Sequence, residues 1–173
     1  MKKKILNVGC GNDTYGTHFI DLYPTRREVI KCDVNKDKFP FKDNFFDEVI
    51  AIGLFEHLTN PLNFLKESYR VLKKGGKLMI ITDNAGFWGI FGNTHHGEYE
   101  KRRKIEGFQE DKHYALFTTH HLKNWLEHVG FRKINAEYFI HKRWIKKHHY
   151  LFIRFLSFIS RRFSSHIKVE AVK

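Results

Sequence analysis

The chain has 173 residues, of which 42% are hydrophobic and 29% charged, with a net charge of +12 at pH 7. This length suits one hydrophobic core and is short for two, so we expect a single domain over residues 1–173. No apolar run approaches the ~20 residues of a membrane-spanning helix. Two cysteines imply no disulfide framework, which favours a reducing cytoplasm.

The positive charge is concentrated near the end of the sequence. Residues 142–163 contain seven Lys or Arg and no Asp or Glu. Apolar residues recur there at helical spacing, which predicts a basic amphipathic helix at about 145–163, inserted between the last two strands. Such a helix covers the sheet, lies on an anionic membrane surface, or follows a nucleic-acid backbone, in that order of preference.

Short apolar runs alternate with helical patterns along the chain, which is typical of an α/β domain with a mostly parallel sheet. A helix is predicted at 61–74, capped by Asn60 and ended by Gly75, and another at 119–129, capped by Thr118 or Thr119 and ended by Gly130. Seven strands are predicted at 4–8, 18–22, 28–32, 46–52, 77–82, 131–140 and 166–172.

A Gly-x-Gly turn follows the first strand, and an acidic residue follows each of the next two. Gly9 and Gly11 allow close backbone approach to a ligand. Asp21 ends the second strand, where a carboxylate accepts hydrogen bonds from ribose hydroxyls, and Asp33 follows the third, near an adenine amino group. A dinucleotide fingerprint needs a third glycine where Thr14 stands, which weakens a nicotinamide or flavin interpretation.

These motifs, quoted in order, resemble class I S-adenosylmethionine-dependent methyltransferases of the type 11 kind. The resemblance spans residues 4–84, through LNVGCGNDTYGTHFIDLYP, VIKCDVNKDKFPFKDNFFDEVIAIGLFEHL and FLKESYRVLKKGGKLMIITDN, and FTTHHLKNWLEHVGF is similar to a later part of the family. It implies a Rossmann-like seven-stranded sheet with helices on both faces, and S-adenosylmethionine as the cofactor, with S-adenosylhomocysteine as the product. The resemblance also implies the cofactor-binding residues, which are Gly9, Cys10, Gly11, Asn12, Asp21, Leu22, Asp33, Val34, Gly53, Leu54 and His57.

Two features depart from the family pattern. Asn7 stands where many relatives carry an acid. Only nine residues separate Gly11 from Asp21, whereas a parallel crossover with a helix takes about a dozen or more. We therefore predict that the first crossover helix is missing or reduced to a turn, and that a loop at 12–17 covers part of the cofactor.

Histidines are the candidate bases for a hydroxyl acceptor. We select His57 and His113 as the candidate catalytic residues, while His95 and His96 are further candidates and Tyr114 could orient a base. The chain also contains three adjacent His–His pairs, but neighbouring side chains point apart and have no Cys or carboxylate at ligand spacing beside them. The sequence analysis therefore predicts no metal site.

The acceptor is predicted to bind at 83–117, an aromatic and basic stretch after the fifth strand. A small or lipid- or glycan-linked acceptor is favoured, with peripheral contact to the inner, anionic face of a membrane, and nucleic acid ranks lower. The sequence after the fourth strand lacks the Asn-Pro-Pro-aromatic motif of exocyclic amino methyltransferases and a cysteine that could attack a pyrimidine. A non-catalytic cofactor-binding protein and an RNA-modifying enzyme stay open as alternatives, and the oligomeric state is undetermined.

Overall fold

The computed structural model describes residues 3–87, 113–140, 155–156, 159–160 and 163–173. Its centre is a seven-stranded sheet in the order β3-β2-β1-β4-β5-β7-β6. The strands are β1 (Ile5–Val8), β2 (His18–Asp21), β3 (Val29–Lys31), β4 (Phe46–Ile52), β5 (Leu72–Asp83), β6 (Arg132–Phe139) and β7 (His166–Val172), and the α-helices are α1 (Pro61–Val71) and α2 (Thr119–Val129).

The strand order reverses between β1 and β4. Strands β1 to β5 are parallel, whereas β7 runs antiparallel to both of its neighbours, β5 and β6. The carboxyl ends of the parallel strands meet at one edge, and ligands of open α/β sheets bind at that edge beside the reversal. The predicted Rossmann-like, mostly parallel sheet is confirmed.

The connections in the first half of the sheet are short loops. Residues 9–17, 22–28 and 32–45 are all described, and none of them contains an α-helix, so the predicted loss of the first crossover helix is confirmed. The hydroxyl and N–H of Thr17 both bond to the backbone of Ile5, at 2.8 to 3.0 Å. These bonds hold the end of the loop against β1, so the chain enters β2 without a helix.

The two helices begin where the sequence predicts. Asn60 accepts a hydrogen bond from the N–H of Asn63 at the start of α1, and Thr118 accepts one from His121 at the start of α2. Gly130 ends α2 in the left-handed conformation, with φ of 110°.

The predicted end of α1 is wrong, because the helix stops at Val71 and not at 74. At Leu72 the chain enters β5 by pairing with Phe46, and the N–H of Phe45 donates to the Val71 carbonyl at 2.7 Å. Gly75, the predicted helix end, lies within β5. Strand β5 begins at Leu72, five residues before the predicted start at 77. The boundaries of the other strands fall within one residue of the prediction at each end.

The main core lies on one face of the sheet, between the strands and both α-helices. Alternate strand residues point to this face and are fully or almost fully buried, in agreement with the two-residue repeat of a strand. Helices α1 and α2 also contact each other, and the ring of Phe131, just after α2, lies 5.0 Å from the ring of Tyr69 on α1. The central rows of this core are Leu6, Val49 and Leu78, followed by Val8, Ala51 and Ile80.

The loop at 32–45 is attached to α1 by one arginine. Arg70 donates to the carbonyl oxygens of Phe39 and Phe41, at 3.0 and 2.9 Å, and forms an ion pair with Glu67 at 2.6 Å. Glu67 in turn accepts the N–H of Phe39 at 2.8 Å. This network positions the loop, and with it the residues that follow β3.

Two predicted segments fall mainly outside the described residues: the acceptor stretch at 83–117 and the basic helix at 142–163. Within the second segment, Phe155, Leu156 and Ile159 are helical, and Phe155 and Ile159 are 64% and 67% exposed. Among the described residues, no helix has the length and apolar character needed to cross a bilayer.

Replacing Arg70 with Met should lower the free energy of unfolding by about 2–4 kcal/mol, since a half-buried carboxylate and two carbonyl oxygens would lose their charged donor. Urea denaturation measures the change. Lys123→Met is the control, because Lys123 pairs with Glu127 on the exposed surface of α2 and should contribute no more than about 0.5 kcal/mol. Equal effects of the two substitutions would contradict the role assigned to Arg70.

Candidate active site

The glycine turn after β1 adopts a backbone conformation that favours glycine. Gly9 and Gly11 have φ values of 65° and 49°. A Cβ atom added to Gly9 would lie 2.8 Å from Cδ1 of Leu54, which follows β4. The predicted cofactor residues after β1 and β4 are therefore in contact across the point where the strand order reverses.

The Gly11 residue is held on both sides by side chains. Its N–H donates to Oδ2 of Asp21 at 2.8 Å, and its carbonyl oxygen accepts from the Thr25 hydroxyl at 3.0 Å and from Arg26 Nη1 at 3.5 Å. Arg26 Nη2 also donates to the carbonyl of Asp13 at 2.8 Å. These bonds fix the loop from neighbouring segments where a crossover helix would otherwise anchor it.

Asn7 supports the same loop from beneath. The side chain is buried and its Nδ2 donates to Oδ2 of Asp13 at 3.2 Å and to the Tyr15 carbonyl at 3.0 Å. The carboxylate that is missing at position 7 is therefore supplied by Asp13 from the loop. Asn7 therefore holds the loop as a hydrogen-bond donor.

The Asp21 carboxylate holds the backbone of the loop and can still accept hydrogen bonds from a ligand. Oδ2 accepts from Gly11 and Oδ1 accepts from the N–H of Tyr23, each at 2.8 Å. Each carboxylate oxygen has a second lone pair, so two more donors can be accepted. Leu22, directly after Asp21, is 38% exposed at the ligand edge.

Asp33 and Val34 follow β3 at the same edge. Oδ1 of Asp33 accepts from the backbone N–H and side-chain amide of Asn35 at 3.1 and 3.3 Å, and Lys36 lies 3.3 Å from Oδ2. Val34 is 7% exposed. Hydrogen bonds and an ion pair between nearby residues thus hold the segment 33–37 around the Asp33 side chain.

Cys10 and Asn12 complete the predicted residues of the glycine turn. Cys10 is buried, and burial, with a contribution from Asp21, raises the pKa of its thiol to about 11. The thiol is therefore protonated near neutral pH and presents an uncharged surface. Asn12 is exposed.

The chain turns inward after β4. Gly53 has a φ of 63° and its N–H donates to the Ile81 carbonyl on β5 at 2.9 Å. A single 3-10 turn, Phe55–His57, follows and buries the side chains of Phe55 and Glu56. This turn places Leu54, Glu56 and His57 beside the end of β5.

His57 and His113 meet at this position although they are far apart in sequence. Their ring centroids are 4.6 Å apart and the rings are nearly perpendicular. The segment that carries His113 is held there because the N–H groups of Tyr114 and Ala115 donate to the Glu56 carbonyl, at 2.9 and 3.4 Å. The structure thus brings together the two histidines selected from the sequence.

Buried polar side chains surround the histidine pair. Nδ1 of His113 lies 3.2 Å from Oδ2 of Asp83, and Nε2 of His166 lies 3.5 Å from the other oxygen of Asp83. The Thr82 hydroxyl donates to Oε2 of Glu56 at 2.7 Å. We call these residues the histidine–carboxylate cluster; its members are Glu56, His57, Thr82, Asp83, His113 and His166.

Burial dominates the electrostatics of Glu56. Loss of solvent, and then the nearby charge of Asp83, raise the pKa of the Glu56 carboxyl to about 7, although the Thr82 hydroxyl bond opposes this shift. Clusters of buried, mutually interacting titratable groups are typical of functional sites.

Sequence analysis missed four members of the cluster, namely Glu56, Thr82, Asp83 and His166. The signals that could have found them were weak: Glu56 stands beside His57, and Asp83 ends a predicted strand at the ligand edge. His95 and His96 lie outside the described residues. Tyr114 is 48% exposed, and its backbone supports the His113 segment.

Comparisons with known proteins show the family to which this chain belongs. A family model described as a methyltransferase domain matches residues 1–136. An uncharacterised protein of Methanocaldococcus jannaschii is 31% identical over 153 residues, which cover 82% of this chain and 70% of that protein. A tRNA U34 carboxymethyltransferase of Nautilia profundicola is 25% identical over 170 residues, with 82% of this chain and 51% of the relative covered, so the chain spans about half the length of that relative.

A solved structure has the same fold. The S-adenosylmethionine-dependent methyltransferase of Mesorhizobium loti superposes with a TM-score of 0.66 at 17% identity, covering 99% of this chain and 91% of that one. The predicted seven-stranded, mostly parallel Rossmann-like sheet and the cofactor are confirmed; helices on both faces stay a prediction, since α1 and α2 both pack on one face. The chain therefore belongs to the methyltransferase domain family, and its methyl donor is S-adenosylmethionine.

Proposed function

We propose that the cofactor lies across the carboxyl ends of β1, β2 and β3, with its sulfonium directed toward β4. Asp21 accepts the ribose hydroxyls with Leu22 beside the sugar, and Asp33 and Val34 flank the adenine. The methionine part lies along the glycine turn from Gly9 to Asn12. Gly53, Leu54 and His57 then border the methyl group, and the contact between Gly9 and Leu54 supports this path.

The acceptor in this proposal is a hydroxyl group of a small or lipid- or glycan-linked molecule. The observation that carries the proposal is the His57–His113 pair backed by Asp83, at the strand ends that follow the cofactor loop. The acceptor O–H bond breaks, and its proton passes to an imidazole nitrogen of the histidine pair in the histidine–carboxylate cluster. The oxygen then bonds to the methyl carbon while the carbon–sulfur bond breaks, and its electron pair stays on sulfur to give neutral S-adenosylhomocysteine.

Most of the rate enhancement comes from alignment, since the sulfonium is already a strong electrophile. Well-oriented reactants gain up to about 7–11 kcal/mol relative to the reaction in solution. A positioned acid–base group adds roughly 10²- to 10⁴-fold. The histidine–carboxylate cluster supplies such a group. The glycine turn, held by Asp21, Thr25 and Arg26, positions the sulfonium.

A lipid-linked acceptor is supported by two apolar side chains near the end of the chain. Phe155 and Ile159 are helical, four residues apart and mostly exposed, and residues four apart share one helix face. With the basic residues at 142–163, this face suits the surface of an anionic membrane. The competing acceptor is RNA, favoured by the resemblance to tRNA U34 carboxymethyltransferases.

Replacing Asp21 with Ala should weaken binding of S-adenosylhomocysteine by about 1.5–3 kcal/mol, because bonds to a charged acceptor are lost. Isothermal titration calorimetry measures the affinity. Glu127→Ala, on the exposed face of α2, should leave it unchanged. An unaltered affinity in Asp21→Ala would mean that the ribose lies elsewhere.

Incubation with methyl-labelled cofactor and a lysate separated into lipid, glycan, RNA, protein and small-molecule fractions identifies the acceptor. We expect label in the lipid, glycan or small-molecule fraction, and a loss of about 100-fold or more in His113→Gln. His121→Gln, which alters an exposed histidine of α2, should label normally. Label in RNA, with steep salt dependence, would replace the proposed acceptor class, and cofactor binding without any label would favour a non-catalytic protein.

A further inference from the structure

Three side chains of the histidine–carboxylate cluster have the arrangement of a metal-binding site. Glu56, His57 and His113 each offer a ligand atom, and these atoms lie within 4.8 Å of one another. Glu56 is 4% exposed, and the turn that carries Glu56 and His57 is bonded to the backbone beside His113. The 3-10 turn after β4 and the segment before α2 thus bring the three ligands together.

The contacts behind these side chains are those that orient metal ligands. Asp83 lies at Nδ1 of His113, and a carboxylate at one imidazole nitrogen directs the other toward a metal and raises its basicity. His166 in turn contacts the second oxygen of Asp83. The Thr82 hydroxyl bonds to Oε2 of Glu56 and orients Oε1. The residues of this outer layer belong to β5 and β7, which pair with each other in the sheet.

We propose that Glu56, His57 and His113 bind one divalent transition-metal ion that coordinates the acceptor hydroxyl. Two imidazoles and one carboxylate form a donor set that suits Zn²⁺ and related ions, and three protein ligands leave coordination positions open. The inference rests on the proposed function for the position of the acceptor. It adds a Lewis acid that makes the acceptor hydroxyl easier to deprotonate.

The chemistry of this step balances without a further reactant. The bound ion lowers the pKa of a coordinated hydroxyl, so its proton passes to bulk water and the oxygen stays on the metal. That oxygen then attacks the methyl carbon as the carbon–sulfur bond breaks. The buried charges of Glu56 and Asp83 offset the charge of the ion. In this form His57 and His113 act as ligands and orient the acceptor through the metal.

The sequence predicted no metal site because the side chains of its adjacent His–His pairs point apart. His113 comes beside Glu56 and His57 only in the folded chain. Because adjacent histidines at 95–96, 120–121 and 148–149 could also take up metal weakly, the experiment must distinguish one tight site from the rest.

The test is titration of the full chain, treated with chelator and dialysed, with Co²⁺, whose visible absorption reports the coordination geometry. We expect one tight equivalent with imidazole and carboxylate ligation. His57→Gln and Glu56→Gln should each weaken this site at least tenfold, and Asp83→Asn, behind the ligands, by about 10- to 100-fold. The double variant His120→Gln/His121→Gln is the matched control and should keep the tight site.

Retention of S-adenosylhomocysteine binding by each variant verifies that it is folded. Identical Co²⁺ titrations for wild type and His57→Gln, or no tight equivalent in the wild type, would overturn the inference. Methyl transfer that persists at full rate in excess chelator would overturn the metal while leaving the proposed function in place. Failure of the wild type to bind the cofactor product would instead contradict the proposed function.

Discussion

The cofactor side of the site depends on the hydrogen bonds that hold the backbone of Gly11. A nine-residue connection between Gly11 and Asp21 is too short for the usual helix, so the loop needs another anchor. Asp21 holds the N–H of Gly11, and Thr25 and Arg26 hold its carbonyl oxygen. Because Asp21 is also the proposed ribose ligand, the group that shapes the loop and the group that contacts the cofactor are the same side chain.

The acceptor side is built differently, from the ends of β4 and β5 and the segment before α2. Its polar groups are buried within a few ångströms of one another, and they stay ordered because each is bonded to a neighbour or to backbone. The contact of Gly9 with Leu54 joins the two sides across the reversal of strand order. In the proposed function, the methyl donor and the acceptor therefore meet at the same edge of the sheet.

Local features of the fold were predictable from the sequence, whereas non-local ones were not. Strand periodicity, the Asn60 and Thr118 caps and the glycine at 130 each act over a few residues, and all three are as predicted. The end of α1 was missed because Leu72 is drawn into the sheet by Phe46, 26 positions earlier in the sequence. In the site, His57 and His113 were selected, but Asp83 and His166 come beside them only when β5 and β7 pair.

The most direct measurement is a crystal structure of the protein with S-adenosylhomocysteine. The account predicts that both ribose hydroxyls lie within hydrogen-bonding distance of the Asp21 carboxylate while the Gly11 N–H keeps its bond to the same side chain. The sulfur atom should face the histidine pair. A nucleoside bound away from this edge, or an Asp21 that turns from Gly11 to reach it, would contradict the account.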